Sequence, residues 1–327
     1  MTTRAPLYCL LASALLLTAC SDDGETTTTT TTTGEPAAYG AQVASYDLAA
    51  EGPQRFLVGL LGCDKGLIVG GEVALDFRYY GRDADQTAEL SDGEVMATDV
   101  PATFTPVAAG IAPPPGEGPR IKQGDEGVGV YEATDVAFDE PGFWSVTVKA
   151  EIDGHPVEAS AAFEVAEEHN IVAAGDPAPR TENLLPGDPD APVKAVDSRA
   201  EDDGTVPDPE LHEVTVSDAV ATGKPTLVVV STPVFCVSRF CGPITDSIQT
   251  LVPDYEGRAN FVHIEVWRDF EGTTLNRGAA EWIYPDEDAE PFEPWVFLVD
   301  GGGTVLQRWD NVANLDDVES ALEAATA

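Results

Sequence analysis

Cys236-Val237-Ser238-Arg239-Phe240-Cys241 is the stretch of this chain best equipped for covalent chemistry. It holds two thiols with one basic side chain, Arg239, between them. Gly242-Pro243 follows at once and opens a segment with helical spacing, in which Ile244, Ile248, Leu251 and Val252 share one stripe. The thiols therefore stand where a helix begins. There the macrodipole and the free N–H groups favour a thiolate, the nucleophilic form of the side chain. Arg239 is either a stabiliser of that thiolate, a contact for an acidic or peroxide substrate, or a solvated charge. Cys63 is isolated in sequence and reads as a small buried hydrophobe. His155, His169, His212 and His263 make no His-x2–5-His or Cys–His spacing, so no metal-ligand set is expected. His263 reads as a buried, hydrogen-bonded ring. The chain has no Gly-x-Gly-x-x-Gly and no Walker motif. Gly301-Gly302-Gly303 is a hairpin tip, and no cofactor is expected.

The elements around the thiols alternate in type. Thr226 to Ser231 is a continuous β-branched run, the pattern of a strand buried on both faces. Leu211 to Val216 reads as a short strand and Ser217 to Thr222 as helix or turn. Asn260 to Trp267 is a further strand and Leu275 to Tyr284 a helix. Trp295 to Asp300 and Thr304 to Trp309 form a hairpin. Leu315 to Ala325 is an amphipathic helix with Asn314 at its N-cap. This order predicts an α/β layered body. Glu265, Trp267, Arg268 and Asp269 fall where α/β sheets hold ligands, and are candidates for a substrate wall.

Four features give this half its family resemblance: Gly175-Asp176-Pro177-Ala178-Pro179, Gly223-Lys224-Pro225 before the apolar strand, Cys236 shortly after it, and Glu293-Pro294-Trp295-Val296-Phe297-Leu298-Val299-Asp300. Together residues 175–327 resemble the thioredoxin-like superfamily, in its extracytoplasmic thioredoxin-like and peroxiredoxin-like branches. The resemblance implies that Pro294 is the family's cis-proline and that Glu293 and Trp295 flank the place where a partner chain lies. It implies a thiol–disulfide oxidoreductase or thiol peroxidase, acting on protein thiols and disulfides or on peroxide. One departure matters. The family's pair is Cys-x-x-Cys, and this one is Cys-x4-Cys. On an unbroken helix, residues five apart point about 140° apart, whereas a disulfide needs Cβ atoms about 4 Å apart. The helix must start after Cys236, or its first turn must unwind. Two registers compete. Counted from the strand, Cys236 is the attacking thiol and Cys241 the resolving one, the assignment adopted here. Counted from Phe240-Cys241-Gly242-Pro243-Ile244, Cys241 attacks. The competing function is a surface binding or scaffolding lipoprotein with an inert disulfide.

The rest of the chain reads as an address, a tether and a β domain. The apolar stretch Leu7 to Leu17 is too short to span a bilayer core, which takes about 20 residues, and suits a signal-peptide core over residues 1–19. Leu17-Thr18-Ala19-Cys20 resembles the bacterial lipobox, which implies lipidation of Cys20 and a membrane-anchored protein facing the extracytoplasmic side. Thr26 to Thr33 are consecutive threonines, so residues 20–40 are expected to form a flexible tether. Residues 41–168 carry alternating runs, including Glu72 to Tyr79 and Phe143 to Ala150, and an Asp153-Gly154 hairpin signal. They predict a β-sandwich and resemble immunoglobulin-like domains of bacterial surface proteins. Residues 169–209 are acidic and Pro-rich and read as a long linker or insertion, ahead of the thioredoxin-like residues 210–327. Across 327 residues the formal net charge is −41. That charge argues against nucleic acid as an electrostatic partner.

Overall fold

The computed structural model describes residues 38–63, 65–82, 92–107, 113–114, 116–189, 191–284 and 292–327. The signal stretch, Cys20 and the threonine run lie outside them. Apolar–polar alternation shapes the first half into β1 (Tyr39–Val43), β2 (Gly52–Gly62), β3 (Gly66–Val69), β4 (Glu72–Gly81), β5 (Glu94–Pro106), β6 (Arg120–Ile121), β7 (Gly129–Phe138), β8 (Gly142–Ile152) and β9 (His155–Val165). β4 buries Val73, Leu75 and Phe77 in turn, and β8 buries Trp144, Val146 and Val148. Between β8 and β9, Asp153 and Gly154 both take positive φ, 53° and 75°, as a type I′ turn requires. The strands form an antiparallel sheet in the order β6-β3-β2-β7-β5-β4-β8-β9, with β1 beside β2. β2 and β9 stand five steps apart in that order, about 24 Å in a flat sheet. Yet the rings of Phe56 on β2 and Phe163 on β9 are 5.1 Å apart. The sheet is therefore rolled over on itself, around a core of Phe56, Phe77, Phe138 and Trp144.

The second half adds α1 (Val216–Ala221), β10 (Thr226–Ser231), α2 (Cys241–Gln249), β11 (Asn260–Glu265), β12 (Trp267–Asp269), β13 (Thr274–Leu275), α3 (Arg277–Ile283), β14 (Trp295–Val299), β15 (Val305–Asp310) and α4 (Leu315–Thr326). β10 is buried at every position. It runs parallel to β11 and antiparallel to β14, which pairs antiparallel with β15. Val228 and Val230 on β10 pack with α1 and α3 through Val216, Ala219 and Trp282. Leu227 and Val229 pack on the other face with α2 and α4 through Ile244, Ile248, Val318 and Leu322. Helices thus cover both faces of a four-stranded mixed sheet, which is why β10 carries no alternation.

One expectation needs correction. Leu211 to Val216 is not a strand: Pro209–Leu211 is a 3-10 turn, and Thr215 caps α1 by accepting the Asp218 N–H at 3.1 Å. The Val216 N–H goes to the Asn183 side-chain oxygen at 2.8 Å rather than to a neighbouring strand. The acidic stretch is irregular and packs against the α/β layers. Thr181, Asn183, Asp197 and Ser198 are buried. Trp282 donates to Thr181 Oγ at 3.0 Å, and Asn276 donates to the Ala195 carbonyl at 2.7 Å.

The rolled sheet and the α/β layers meet across charged contacts. Arg55 on β2 pairs with Glu132 at 2.6 Å and Asp310 at 3.3 Å, and donates to the Val312 carbonyl at 2.8 Å. Arg308 pairs with Asp47 at 2.9 Å. Beside them Leu57, Val107, Val130 and Val312 form a small apolar cluster against which Phe240 packs.

Candidate active site

β10 ends at Ser231 and α2 begins at Cys241, so the connecting loop carries Cys236. The helix thus starts after Cys236, one of the two geometries open to thiols five residues apart. Cys236 and Cys241 are joined in a disulfide, with Cα atoms 6.0 Å apart. Cys236 is half-buried and Cys241 fully buried. The Cys241 N–H, one of the free donors at the start of α2, donates to Cys236 Sγ at 3.4 Å. Ser238 Oγ lies 3.2 Å from the same sulfur. Arg239 is exposed and sits in the left-handed region at φ 64°, where the loop turns into the helix.

Glu293 completes the site. Its carboxylate and the two sulfur atoms lie within 4.8 Å of one another. Burial, together with the nearby Glu265 carboxylate, pushes the Glu293 carboxyl up to about 7. Glu265 is itself raised by burial, and it accepts the Ser198 N–H at 2.8 Å. The Glu293–Pro294 peptide bond is cis. The Glu293 carbonyl accepts a hydrogen bond from Tyr46 Oη at 3.1 Å, so the segment between β1 and β2 reaches the site.

The mouth of the site is apolar. Val237 is 90% exposed and Val234 55%, both in the Cys236 loop. Phe235 stacks on the half-exposed Phe270 with ring centroids 4.2 Å apart, and Trp267 meets Phe270 edge-on at 5.5 Å. Phe292, beside Glu293, is 51% exposed and stacks on Tyr46.

Of the residues singled out in the sequence, Cys236, Cys241 and Glu293 converge and Pro294 adjoins them. Trp295 is buried, stacks on Phe297 and donates to the Phe292 carbonyl at 2.7 Å, so its ring belongs to the core. Arg239 lies on the exposed surface of the loop. Glu265 is buried rather than lining a wall. Cys63, at the turn after β2, is half-buried rather than fully buried.

Sequence reasoning did not find Tyr46 or Ser238 as neighbours of the site, nor a second cluster behind it. There, Asp197, His212 and His263 are all buried, with one ligand atom from each within 4.8 Å of the others. Asp197 is invisible in sequence because it sits in the irregular acidic stretch, among many other carboxylates.

Among the described residues no helix is long and apolar enough to cross a membrane. Comparison with protein-family models, curated proteins and solved structures gives no match.

Proposed function

We propose that the chain is an extracytoplasmic thiol–disulfide oxidoreductase, lipid-anchored through Cys20, with a thioredoxin-like redox domain behind an immunoglobulin-like β domain. The observation that carries this reading is the Cys236–Cys241 disulfide at a helix N-terminus with the buried Glu293 carboxyl against its sulfurs. An oxidised pair suits a compartment outside the cytoplasm. The apolar mouth formed by Val234, Val237, Phe270 and Phe292 favours a polypeptide partner over a peroxide.

The chemistry follows from exposure. A partner thiolate attacks Cys236 Sγ, the more accessible sulfur, and a partner–Cys236 disulfide forms. The bond to Cys241 breaks, its electron pair leaves on Cys241 Sγ, and Glu293 in its protonated form supplies the proton. A second partner thiolate then attacks the partner sulfur of the mixed disulfide, and Cys236 leaves as a thiolate. Two electrons pass from the partner dithiol to the cysteine pair. In reverse, the reduced pair reduces a partner disulfide. The free Cys236 thiolate is stabilised by the Cys241 N–H at the start of α2.

The test begins with the reduced protein. Limiting iodoacetamide at about pH 7 is expected to label Cys236 before Cys241. Cys236→Ser abolishes exchange, and Cys241→Ser accumulates a mixed disulfide with a dithiol substrate protein. Labelling of Cys241 first reverses the two roles. If neither thiol labels without denaturant, the bridge is structural and the reading fails.

A further inference from the structure

His263 on β11 has a tautomer that its surroundings dictate. Thr245 Oγ1 lies 2.9 Å from the Cys241 carbonyl. A carbonyl only accepts, so the Thr245 hydroxyl proton is used there. Ser231 Oγ, 2.8 Å from Thr245 Oγ1, must then donate to it. That leaves Ser231 Oγ as an acceptor for His263 Nε2, 3.0 Å away. His263 Nε2 also faces the Ser231 carbonyl at 3.3 Å, a second group that can only accept. The proton of the neutral ring is therefore on Nε2, and Nδ1 carries a lone pair.

That lone pair points at a carboxylate. His263 Nδ1 is 3.5 Å from Asp197 Oδ2, and His212 Nε2 is 3.4 Å from the same oxygen. Neither nitrogen makes a hydrogen bond, and His212 Nδ1 makes none either. The side chains of all three residues are fully buried. A lone pair facing a carboxylate oxygen in a sealed interior is repulsive unless a proton or a cation lies between them, and neither ring directs an N–H hydrogen bond at that oxygen.

We propose that Asp197 Oδ2, His212 Nε2 and His263 Nδ1 ligate a divalent transition-metal ion of the zinc class. With two sides of 3.4 and 3.5 Å and the third no longer than 4.8 Å, the three atoms share a centre about 2.0–2.4 Å from each, close to zinc–nitrogen and zinc–oxygen bond lengths. Imidazole and carboxylate suit zinc and its first-row neighbours rather than calcium or magnesium. The outer partners that hold metal ligands in place are also present. Arg199 donates to Asp197 through its backbone N–H at 2.8 Å and its guanidinium at 2.7 Å, and Ser231 fixes the His263 ring. The ion ties the acidic stretch, through Asp197, and the turn after it, through His212, to the strand next to β10. The Ser231–Thr245 pair then links it to the Cys241 backbone. The site stands apart from the Cys236, Cys241 and Glu293 group and does not depend on the redox reading.

The test uses the full chain with its disulfide intact, stripped with a chelator and then given Zn²⁺ or Co²⁺. Elemental analysis after gel filtration is expected to find about one equivalent of zinc, with a higher melting temperature than the stripped protein. A Cys236→Ser/Cys241→Ser variant keeps the metal, whereas His212→Gln and Asp197→Asn bind it about tenfold or more weakly. The Co²⁺ form shows visible bands of nitrogen and oxygen ligation without thiolate charge transfer. Failure of the stripped wild-type protein to retain zinc or cobalt overturns the site, whatever the variants do. Loss of metal in the double cysteine variant, or a thiolate band, moves binding to the cysteines and equally overturns it.

Discussion

Two buried carboxylates in this protein sit beside pairs of soft side chains, and their environments drive them in opposite directions. Glu293 faces two sulfurs and has another carboxylate, Glu265, as its nearest charged influence. Burial raises it, nothing cationic offsets the effect, and it holds its proton up to about 7. Asp197 is buried just as deeply, and burial alone raises it too. The Arg199 guanidinium, 2.7 Å away, opposes that effect, and the carboxyl is held well below the usual carboxylate range. Depth does not set the charge of a buried acid here; the partners do. The contrast extends to access. The cysteine site opens through an apolar rim, while the Asp197 cluster is sealed. One arrangement suits exchange with a partner molecule, and the other suits holding the chain together.

The contrast can be broken most forcefully at Asp197. Replacing it with alanine removes one of the three carboxylates around Arg199, leaving Asp208 and Asp246 at 2.8 Å, and takes the acceptor from the Arg199 N–H; it is expected to cost about 3 kcal/mol in urea unfolding. A cost below about 1 kcal/mol would mean that the sealed cluster is not a structural pin.

The next largest effect is at Glu293, and its sign follows from proton linkage. The folded carboxyl titrates at about 7, against about 4.5 in the unfolded chain. Between those values the folded state binds more protons, so stability falls as pH rises, and the loss is complete above about 7. Glu293→Gln is therefore expected to raise stability at pH 8 by up to about 3 kcal/mol and to leave it unchanged at pH 4. The same variant removes the step near pH 7 from the rate of thiol exchange. Chemical unfolding at the two pH values, with a pH–rate profile, checks both.

The smallest effect is at the rim. Val237→Asp puts a charge on the most exposed apolar side chain of the site. Exchange with a protein substrate is expected to slow about tenfold, equivalent to about 1.4 kcal/mol, while the rate with dithiothreitol stays the same. An equal loss with both substrates would place the effect on the disulfide itself rather than on partner docking.

How much of this was legible beforehand depended on whether the signal was local. The strand Thr226–Ser231, the Asp153-Gly154 turn and the Asn314-capped helix were readable because their pattern, turn chemistry and cap lie within a few residues. The approach of Glu293 to Cys236 and Cys241 came only through family resemblance, since nothing local to Glu293 marks it. Two things were out of reach. Leu211 to Val216 has a strand's composition, but a side chain from the acidic stretch takes its N–H. The Asp197, His212 and His263 cluster is assembled from an irregular segment, a turn and a strand, with no spacing rule to find it. His263 reads as a buried, hydrogen-bonded ring, as its Nε2 is, but a strand pattern carries no sign of what its second nitrogen faces.

The central claim is that the Cys236–Cys241 bond turns over. Its reduction potential, measured by equilibrating the purified protein across glutathione and dithiothreitol buffers and alkylating the free thiols, tests this most directly. A redox-active pair is expected to lie above about −300 mV, within reach of cellular thiol partners. A potential well below about −300 mV would mark a structural bridge and contradict the account.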